Sequence, residues 1–198
     1  MLATDRSEVA AKPSISFLAL LCLLSLPAWA GEATVPAQLQ ARLITRVAPF
    51  DRSLVARAGT RVLLLVVIRR DDPGSQQVAA ELIEALKSES EIAGLRLEVA
   101  KVEVTEALQV LGEIRDRHPT ILYLSTAFTA EAAALAERLD GQDLLTIAAE
   151  SAAVRAGICV GFDLISGKPQ VLIHLQQAKK QHVNFQATLL HLAKVVDQ

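Results

Sequence analysis

The stretch from Gly161 to Leu175, GFDLISGKPQVLIHL, contains a Gly-Lys pair between two apolar runs, as a phosphate-binding loop does. Such a loop needs Gly, four residues, then Gly-Lys and Ser or Thr, because its backbone amides hold the phosphates and its hydroxyl binds Mg²⁺. Here five residues separate Gly161 from Gly167, and Pro169 occupies the position of the hydroxyl. The residues that follow resemble a strand, whereas the loop requires a helix. This stretch therefore does not predict a nucleotide site.

The histidines do not have the spacing of a metal site. No two of them form an H-x-x-x-H or H-E-x-x-H pattern, and surface or helix-cap roles explain them more simply than a metal-binding cluster. The four histidines are His118, His174, His182 and His191. No metal or other cofactor is predicted.

Candidate nucleophiles are equally isolated. Ser125 directly ends a predicted strand, but no nearby glycine allows the sharp turn that exposes the nucleophile of a serine hydrolase. Cys159 lies in an apolar strand, where cysteines usually act as small inert hydrophobic residues. We therefore predict no catalytic residue and no enzyme activity.

The first thirty residues predict export. Lys12 precedes an apolar run from about Ile15 to Leu26, and Ala-Trp-Ala ends at Ala30, which is the pattern of a secretory signal peptide. A membrane anchor is the alternative, but an apolar run of about twelve residues is shorter than the ~20 that span hydrocarbon. We expect cleavage near Ala30, which exports residues 31–198 as one domain.

Charge and cysteine content narrow the function further. The formal net charge is −2, and no basic run marks a surface for nucleic acid, so no nucleic-acid partner is expected. Cys159 is the one cysteine left after cleavage, so an internal disulfide cannot form, although an intermolecular one stays open. Stability must therefore come from a hydrophobic core.

The elements that would position any site alternate between strands and helices. Residues 61–68, RVLLLVVI, form a continuous apolar run that predicts a central strand covered on both faces. Residues 95–104 alternate between apolar and polar and predict a strand nearer an edge, with one solvated face. Helices capped by Ser75, Thr105 and Thr129 separate the strands. The order predicts an α/β fold: a single three-layer domain with a mostly parallel sheet and flanking helices.

The C-terminal third departs from this alternation. ICVGFDLI and PQVLIHL are separated by Ser166, Gly167 and Lys168 alone, which leaves no room for a crossover helix. These strands must form an antiparallel hairpin, with Gly167 supplying a positive φ. After a short helix, FQATLLHLAKVV predicts a terminal amphipathic helix. Its apolar face would comprise Phe185, Leu189, Leu192, Ala193 and Val196.

This C-terminal block resembles the YfiR-like family of small periplasmic proteins. LLTIAAE, the hairpin VGFDLISGKPQVLIHL, QAKK and FQATLLHLAKVV are similar to its final elements, and AGTRVLLLVV and ILYLSTAF are similar to its earlier strands. Family members usually carry Asn where this chain has His174, and relatives contain disulfides that Cys159 alone cannot form. The resemblance implies a non-catalytic regulator that contacts the periplasmic sensor domain of an inner-membrane diguanylate cyclase.

The loops that follow the parallel strands form the edge where open α/β sheets bind ligands. We call residues 69–75, 125–129 and 149–155 the strand-end rim. Arg69 and Arg70 could hold an anion there, and the alternative is that RRDD pairs its own charges in solvent. Phe128 is either an exposed anchor for a partner or a core residue under the following helix.

Together these observations predict a periplasmic regulatory protein that binds an inner-membrane signalling protein, either a diguanylate cyclase or a sensor kinase. Phe128, Arg69 and Arg70 are the candidate partner-binding residues. The alternative is a small-solute-binding protein that uses the strand-end rim, and a homodimer stays open as a further assembly.

Overall fold

The computed structural model describes residues 34–196. The predicted signal peptide and its cleavage site near Ala30 lie outside these residues. None of the helices within the described range combines the length and apolar character needed to cross a membrane.

A mixed sheet forms the centre of the fold. Its strands are β1 (Arg61–Arg69), β2 (Glu91–Ile92), β3 (Leu95–Val104), β4 (Ile121–Leu124), β5 (Leu145–Ala148), β6 (Val160–Ile165), β7 (Lys168–Ile173) and β8 (Lys194–Val195). Their spatial order is β2-β3-β1-β4-β5-β6-β7-β8. The pairs β2–β3 and β6–β7 are antiparallel, and the others are parallel. The predicted α/β class is confirmed.

Helices cover both faces of this sheet. They are α1 (Ala37–Val47), α2 (Leu54–Ala58), α3 (Pro73–Leu86), α4 (Val110–Arg117), α5 (Ala132–Arg138), α6 (Ser151–Arg155), α7 (Leu175–Lys180) and α8 (Ala187–Leu192). Alternate residues of β1 enter two separate cores: Leu64 and Val66 pack in the core that includes α1 and α3, while Leu65 and Val67 pack in the core that includes α4 and α5. This arrangement explains the continuous apolar run of β1, because both faces of the strand are buried.

Strand β3 lies next to the edge of the sheet, as predicted, with the two-residue β2 outside it. The expectation of one solvated face is wrong. One face of the strand is covered in its first half, and the opposite face is covered in its second half. Leu97 and Val99 pack with the α1 and α3 core, whereas Ala100 and Val102 pack with the α4 and α5 core. The sequence contains this change of side, since two consecutive apolar residues, Val99 and Ala100, interrupt the alternation.

The hairpin of β6 and β7 has the predicted turn. Ser166 and Gly167 both have positive φ, 51° and 74°, as a two-residue hairpin turn with the right twist requires. Pro169 is the second residue of β7 and pairs with Leu164.

The predicted terminal helix is shorter than expected. Helix α8 ends at Leu192, Ala193 is extended (φ −93°, ψ 159°), and Lys194–Val195 then pair with the end of β7. The N–H of Val196 donates to the carbonyl of Ile173 at 2.9 Å. Pairing with an open sheet edge satisfies backbone groups, and β-branched residues favour strands, so this segment leaves the helix. As a result, the side chain of Leu192 is 74% exposed.

Asp51 joins the two ends of the described chain. Its buried carboxylate accepts hydrogen bonds from the N–H groups of Ser53 (3.0 Å) and Asn184 (2.9 Å). The second carboxylate oxygen pairs with the guanidinium of Arg57. An isolated antiparallel bridge to Phe185 lies beside these contacts. The C-terminal segment is thereby held against the loop that precedes α2.

Candidate functional site at the strand-end rim

The strand-end rim lies at the ends of neighbouring parallel strands, where the connections after β1 and β3 lead to opposite sides of β1. From β1 the chain passes through α3 to β3 on one side, and β4 lies on the other side of β1. In open α/β sheets this divergence is the place where ligands usually bind.

Helix α3 begins at the rim with a cap that differs from the predicted one. Asp72 is the N-cap, and its carboxylate accepts a hydrogen bond from the N–H of Ser75 at 3.0 Å. Pro73 occupies the first turn, where its missing N–H has no cost. The cap role expected of Ser75 is therefore wrong.

Ser75 instead ties two loops together. Its hydroxyl lies 2.6 Å from the hydroxyl of Ser125, and both side chains are buried. The N–H of Arg69 also points at the Ser75 hydroxyl, at 3.4 Å. The two hydroxyls satisfy each other, and this contact closes the rim between β1 and β4.

Arg69 crosses the rim and binds residues far away in sequence. Its guanidinium pairs with the Glu131 carboxylate at 2.6 Å and donates to the carbonyls of Thr105 and Ala127, each at 3.2 Å. It also lies over the ring of Phe128, 5.1 Å from the centroid. Arg69 therefore does not pair within the RRDD segment, and both terminal nitrogens of its guanidinium already donate to protein acceptors.

Phe128 is a core residue. It is 1% exposed and packs with the core that includes α4 and α5, beneath the guanidinium of Arg69. Of the two expected locations, the core position under the following helix is the observed one.

Arg70 is exposed and does not join Arg69 in one cationic site. Its N–H donates to the carbonyl of Val104 at 3.0 Å, which continues the pairing of β1 with β3. The pKa of the nearby Glu103 carboxyl is lowered, mainly by a hydrogen bond from Lys101 and to a smaller extent by the charge of Arg70. Arg70 is thus the one of the three predicted binding residues with an exposed side chain.

The last part of the rim is also self-contained. The hydroxyl of Thr129 donates a hydrogen bond to the Glu150 carboxylate at 2.7 Å. Below it, burial and to a smaller extent the charge of Glu150 raise the pKa of Tyr123 far above its ordinary value. The Tyr123 hydroxyl donates to the Gln40 side chain at 2.8 Å. Tyr123 is therefore a neutral structural group, unsuited to proton transfer near neutral pH.

The remaining candidate nucleophile, Cys159, belongs to a buried polar group at the other end of the sheet. Its thiol donates to the Gln181 side-chain oxygen at 2.6 Å, and the Thr146 hydroxyl donates to the same oxygen at 2.9 Å. Burial raises the pKa of Cys159 to about 12. The thiol is free and protonated, which agrees with the expected inert role.

The histidines do not gather. His174 caps α7 by accepting a hydrogen bond from the N–H of Gln177 at 3.2 Å, one of the expected roles. His118 ends α4 in the left-handed conformation, and His182 pairs with Asp143 at 2.7 Å. Within residues 34–196, no group of three or more His, Cys, Asp or Glu side chains is placed to hold a metal ion.

Sequence reasoning missed Glu131, Gln181 and Asp51, which have central roles in these contacts. Glu131 is 62 residues from Arg69, and Asp51 is 133 residues from Asn184, so no local pattern connects them. Gln181 lies in a polar segment, QQAKKQHV, that resembles a solvated helix end. A local signal existed only for Asp72, since Asp followed by Pro is a common helix start.

Solved structures with a similar fold come from several bacteria. One is an ABC domain in complex with L-Trp from Streptococcus pneumonia, with a TM-score of 0.58 and 11% identity over 81% of this chain and 62% of that chain. Another is a ligand-free, open substrate binding protein with adhesive properties from Clostridium difficile, with a TM-score of 0.54 and 14% identity over 74% of this chain and 58% of that chain. A third is a conserved domain protein from Vibrio cholerae, with a TM-score of 0.55 and 13% identity over 82% of this chain and 60% of that chain. At these identities the likeness shows the fold alone. The chain spans about three-fifths of each of these proteins.

No curated protein matches the chain. A family model described as YfiR/HmsC-like matches residues 37–194, which include every helix and nearly every strand residue described above. The resemblance seen in the sequence is confirmed: the chain belongs to the YfiR/HmsC-like family.

Proposed function

We propose that this protein is a periplasmic regulator without catalytic activity. It binds the periplasmic part of an inner-membrane signalling protein, a diguanylate cyclase or a sensor kinase, and changes the output of that protein. Membership of the YfiR/HmsC-like family is the observation that carries the proposal. Export through the signal peptide that ends near Ala30 is part of it.

The chemistry of the rim supports action by binding. The serine hydroxyls at the rim satisfy each other, Arg69 is engaged by Glu131 and two carbonyls, and the thiol of Cys159 is buried. A binding protein needs no activated nucleophile or base, and none of these groups is arranged as one. The alternative of a small-solute-binding protein that uses the strand-end rim has less support, because the polar groups that would hold a solute already bind one another.

The C-terminal edge offers an apolar contact surface for a partner. Leu192 on α8 is 74% exposed, and Val195 on β8 is 37% exposed. These two side chains lie at the edge of the sheet, where β8 is the last strand within residues 34–196 and pairs with the end of β7. Exposed apolar residues at such an edge favour binding of another protein.

The rim is the second proposed contact region. Arg70 offers an exposed charge there, while Phe128 and Arg69 act indirectly by holding the rim in shape. Leu108 is 50% exposed in the turn after β3, at the same end of the parallel strands as the rim, and we include it in this second contact region.

Genetic complementation tests the proposal. If the partner is a cyclase that this protein represses, deletion of its gene raises intracellular cyclic di-GMP, and the wild-type gene restores the lower level. A Leu192→Asp variant should be exported and folded but should fail to restore it, because a charge replaces an exposed apolar contact. Val55→Asp is the matched control, since Val55 is an exposed apolar residue (51%) on a different helix, α2, and belongs to neither proposed region.

Three results would count against the proposal in different ways. Unchanged cyclic di-GMP in the deletion strain removes the cyclase as partner. Full repression by Leu192→Asp but none by Leu108→Asp moves the contact from the C-terminal edge to the rim. Repression by both variants, at wild-type abundance, refutes both contact regions.

A further inference from the structure

A cleft of about 720 Å³ opens at the end of the sheet where the parallel strands begin, opposite the strand-end rim. It lies where the chain enters β4 and β5, between the end of α4 and the loop that follows α5. The proposed regulatory function uses neither its residues nor its location.

The cleft has an excess of cationic side chains. The guanidinium groups of Arg57, Arg115 and Arg138 contribute to its lining, and Asp143 is the one carboxylate among the lining residues. Asp143 is engaged outside the cleft lining by the ring of His182, at 2.7 Å. Positive groups that converge on a concave surface concentrate field lines and attract anions.

The two outer arginines are available to a ligand. Arg138 is exposed and has no carboxylate partner among residues 34–196. Arg115 pairs with its neighbour Asp116 at 3.0 Å, but their side chains are 79% and 67% exposed, so this pair contributes little. Both guanidinium groups can therefore turn toward a bound anion without breaking a strong contact.

Arg57 gives the cleft a fixed cation. Its side chain is only 8% exposed, and the buried carboxylate of Asp51 holds its guanidinium from one side. The Nε–H of Arg57 is buried and has no hydrogen-bond acceptor within residues 34–196. Buried polar groups are seldom left unpaired, so this donor is an independent sign that an acceptor belongs near this wall of the cleft.

The other wall is apolar. Ile114 and Leu144 line the cleft from the core side, at 7% and 1% exposure, and Leu111 and Pro119 continue this surface. An inorganic anion alone would leave the apolar part of this lining in contact with water. The combination of a cationic wall with an apolar wall matches a ligand that has both an anionic and an apolar part.

The geometry points to a binding site for a small organic anion, with a phosphate or carboxylate head and an apolar body. The head lies among the guanidinium groups of Arg57, Arg115 and Arg138, and the body lies against Ile114 and Leu144. Asp51 keeps Arg57 in place before the ligand arrives, which reduces the ordering cost of binding.

Titration calorimetry of the purified protein at low salt tests this site with three probes. Phenyl phosphate and benzoate carry the two kinds of head on the same ring, and phenol carries the ring without a full negative charge. One or both anions should bind at a single site with a Kd of about 1 mM or below, and phenol should bind at least about tenfold more weakly. The preferred anion identifies the head.

Variants locate the binding. Arg138→Gln should weaken the binding of the preferred anion about fivefold or more, because one charge-assisted hydrogen bond is lost. Arg46→Gln is the matched control, since Arg46 is an exposed arginine on α1 outside the cleft, and it should leave the Kd unchanged. Arg57 is not replaced, because its removal would leave the buried Asp51 carboxylate without its ion-pair partner.

The proposal is overturned by any of three results. These are no saturable binding of either anion up to about 10 mM, equal binding of phenol, or an unchanged Kd in both Arg138→Gln and Arg115→Gln proteins that melt like the wild type.

Discussion

Replacing Asp51 by Ala should destabilise the protein more than removing a carboxylate from an exposed ion pair. The carboxylate is buried and holds Arg57, whose side chain is 8% exposed, and it also accepts the N–H groups of Ser53 and Asn184. Removing one member of a buried pair leaves the other charge without a partner, which costs about 3–5 kcal/mol. For a chain of this size, about 2–4 °C of melting temperature is lost per kcal/mol, so a fall of about 6–20 °C is expected.

The measurement is urea unfolding followed by circular dichroism, together with a thermal melt. Asp116→Ala is the matched control, because it removes a carboxylate from the exposed pair with Arg115 and should cost less than about 0.5 kcal/mol. Asp51→Asn should fall between the two, since it keeps an oxygen for the backbone N–H groups but loses the charge that pairs with Arg57. Equal small losses for Asp51→Ala and Asp116→Ala would refute the reasoning that Asp51 holds the C-terminal segment against the loop before α2.

The further predictions concern two residues singled out in the sequence, Phe128 and Cys159. Phe128→Ala should lower the free energy of unfolding by about 3–5 kcal/mol, because it removes a fully buried ring, and a loss below about 1 kcal/mol in urea unfolding would place Phe128 outside the core. Cys159 should react with a thiol reagent at pH 8 only after unfolding, since its pKa is raised to about 12 by burial; rapid stoichiometric labelling of the native protein would contradict this. Cys159→Ala should cost about 1–2 kcal/mol, and melting should not depend on dithiothreitol.

Local pattern was enough to predict the parts of the fold that depend on local physics. The apolar run of β1 can only be buried on both faces, so the central strand and the flanking helices follow from it. The interval between β6 and β7 is too short for a crossover, so the hairpin and the positive φ of Gly167 follow as well. The family resemblance rests on the same segments.

Pattern misled where a tertiary contact competed with it. The spacing of Leu192 and Val196 predicts a continuing helix, but the open edge of β7 offers backbone partners that a helix end does not, and the chain changes to a strand. Val99 and Ala100 similarly mark the point where the buried face of β3 changes from one core to the other. The position of this change depends on which part of each face the helices cover.

The sequence by itself determined the class of fold, the hairpin, the inert cysteine and the family, because each depends on residues close together in the chain or on composition. Only the tertiary structure decided that Arg69 pairs with Glu131, that Ser75 meets Ser125, that Phe128 is buried, and that a cationic cleft lies at the end of the sheet opposite the strand-end rim. These contacts join residues separated by tens of positions, and the order of strands in the sheet sets which of them meet. That order is the outcome of packing both faces of the sheet at once, which no local window of sequence contains.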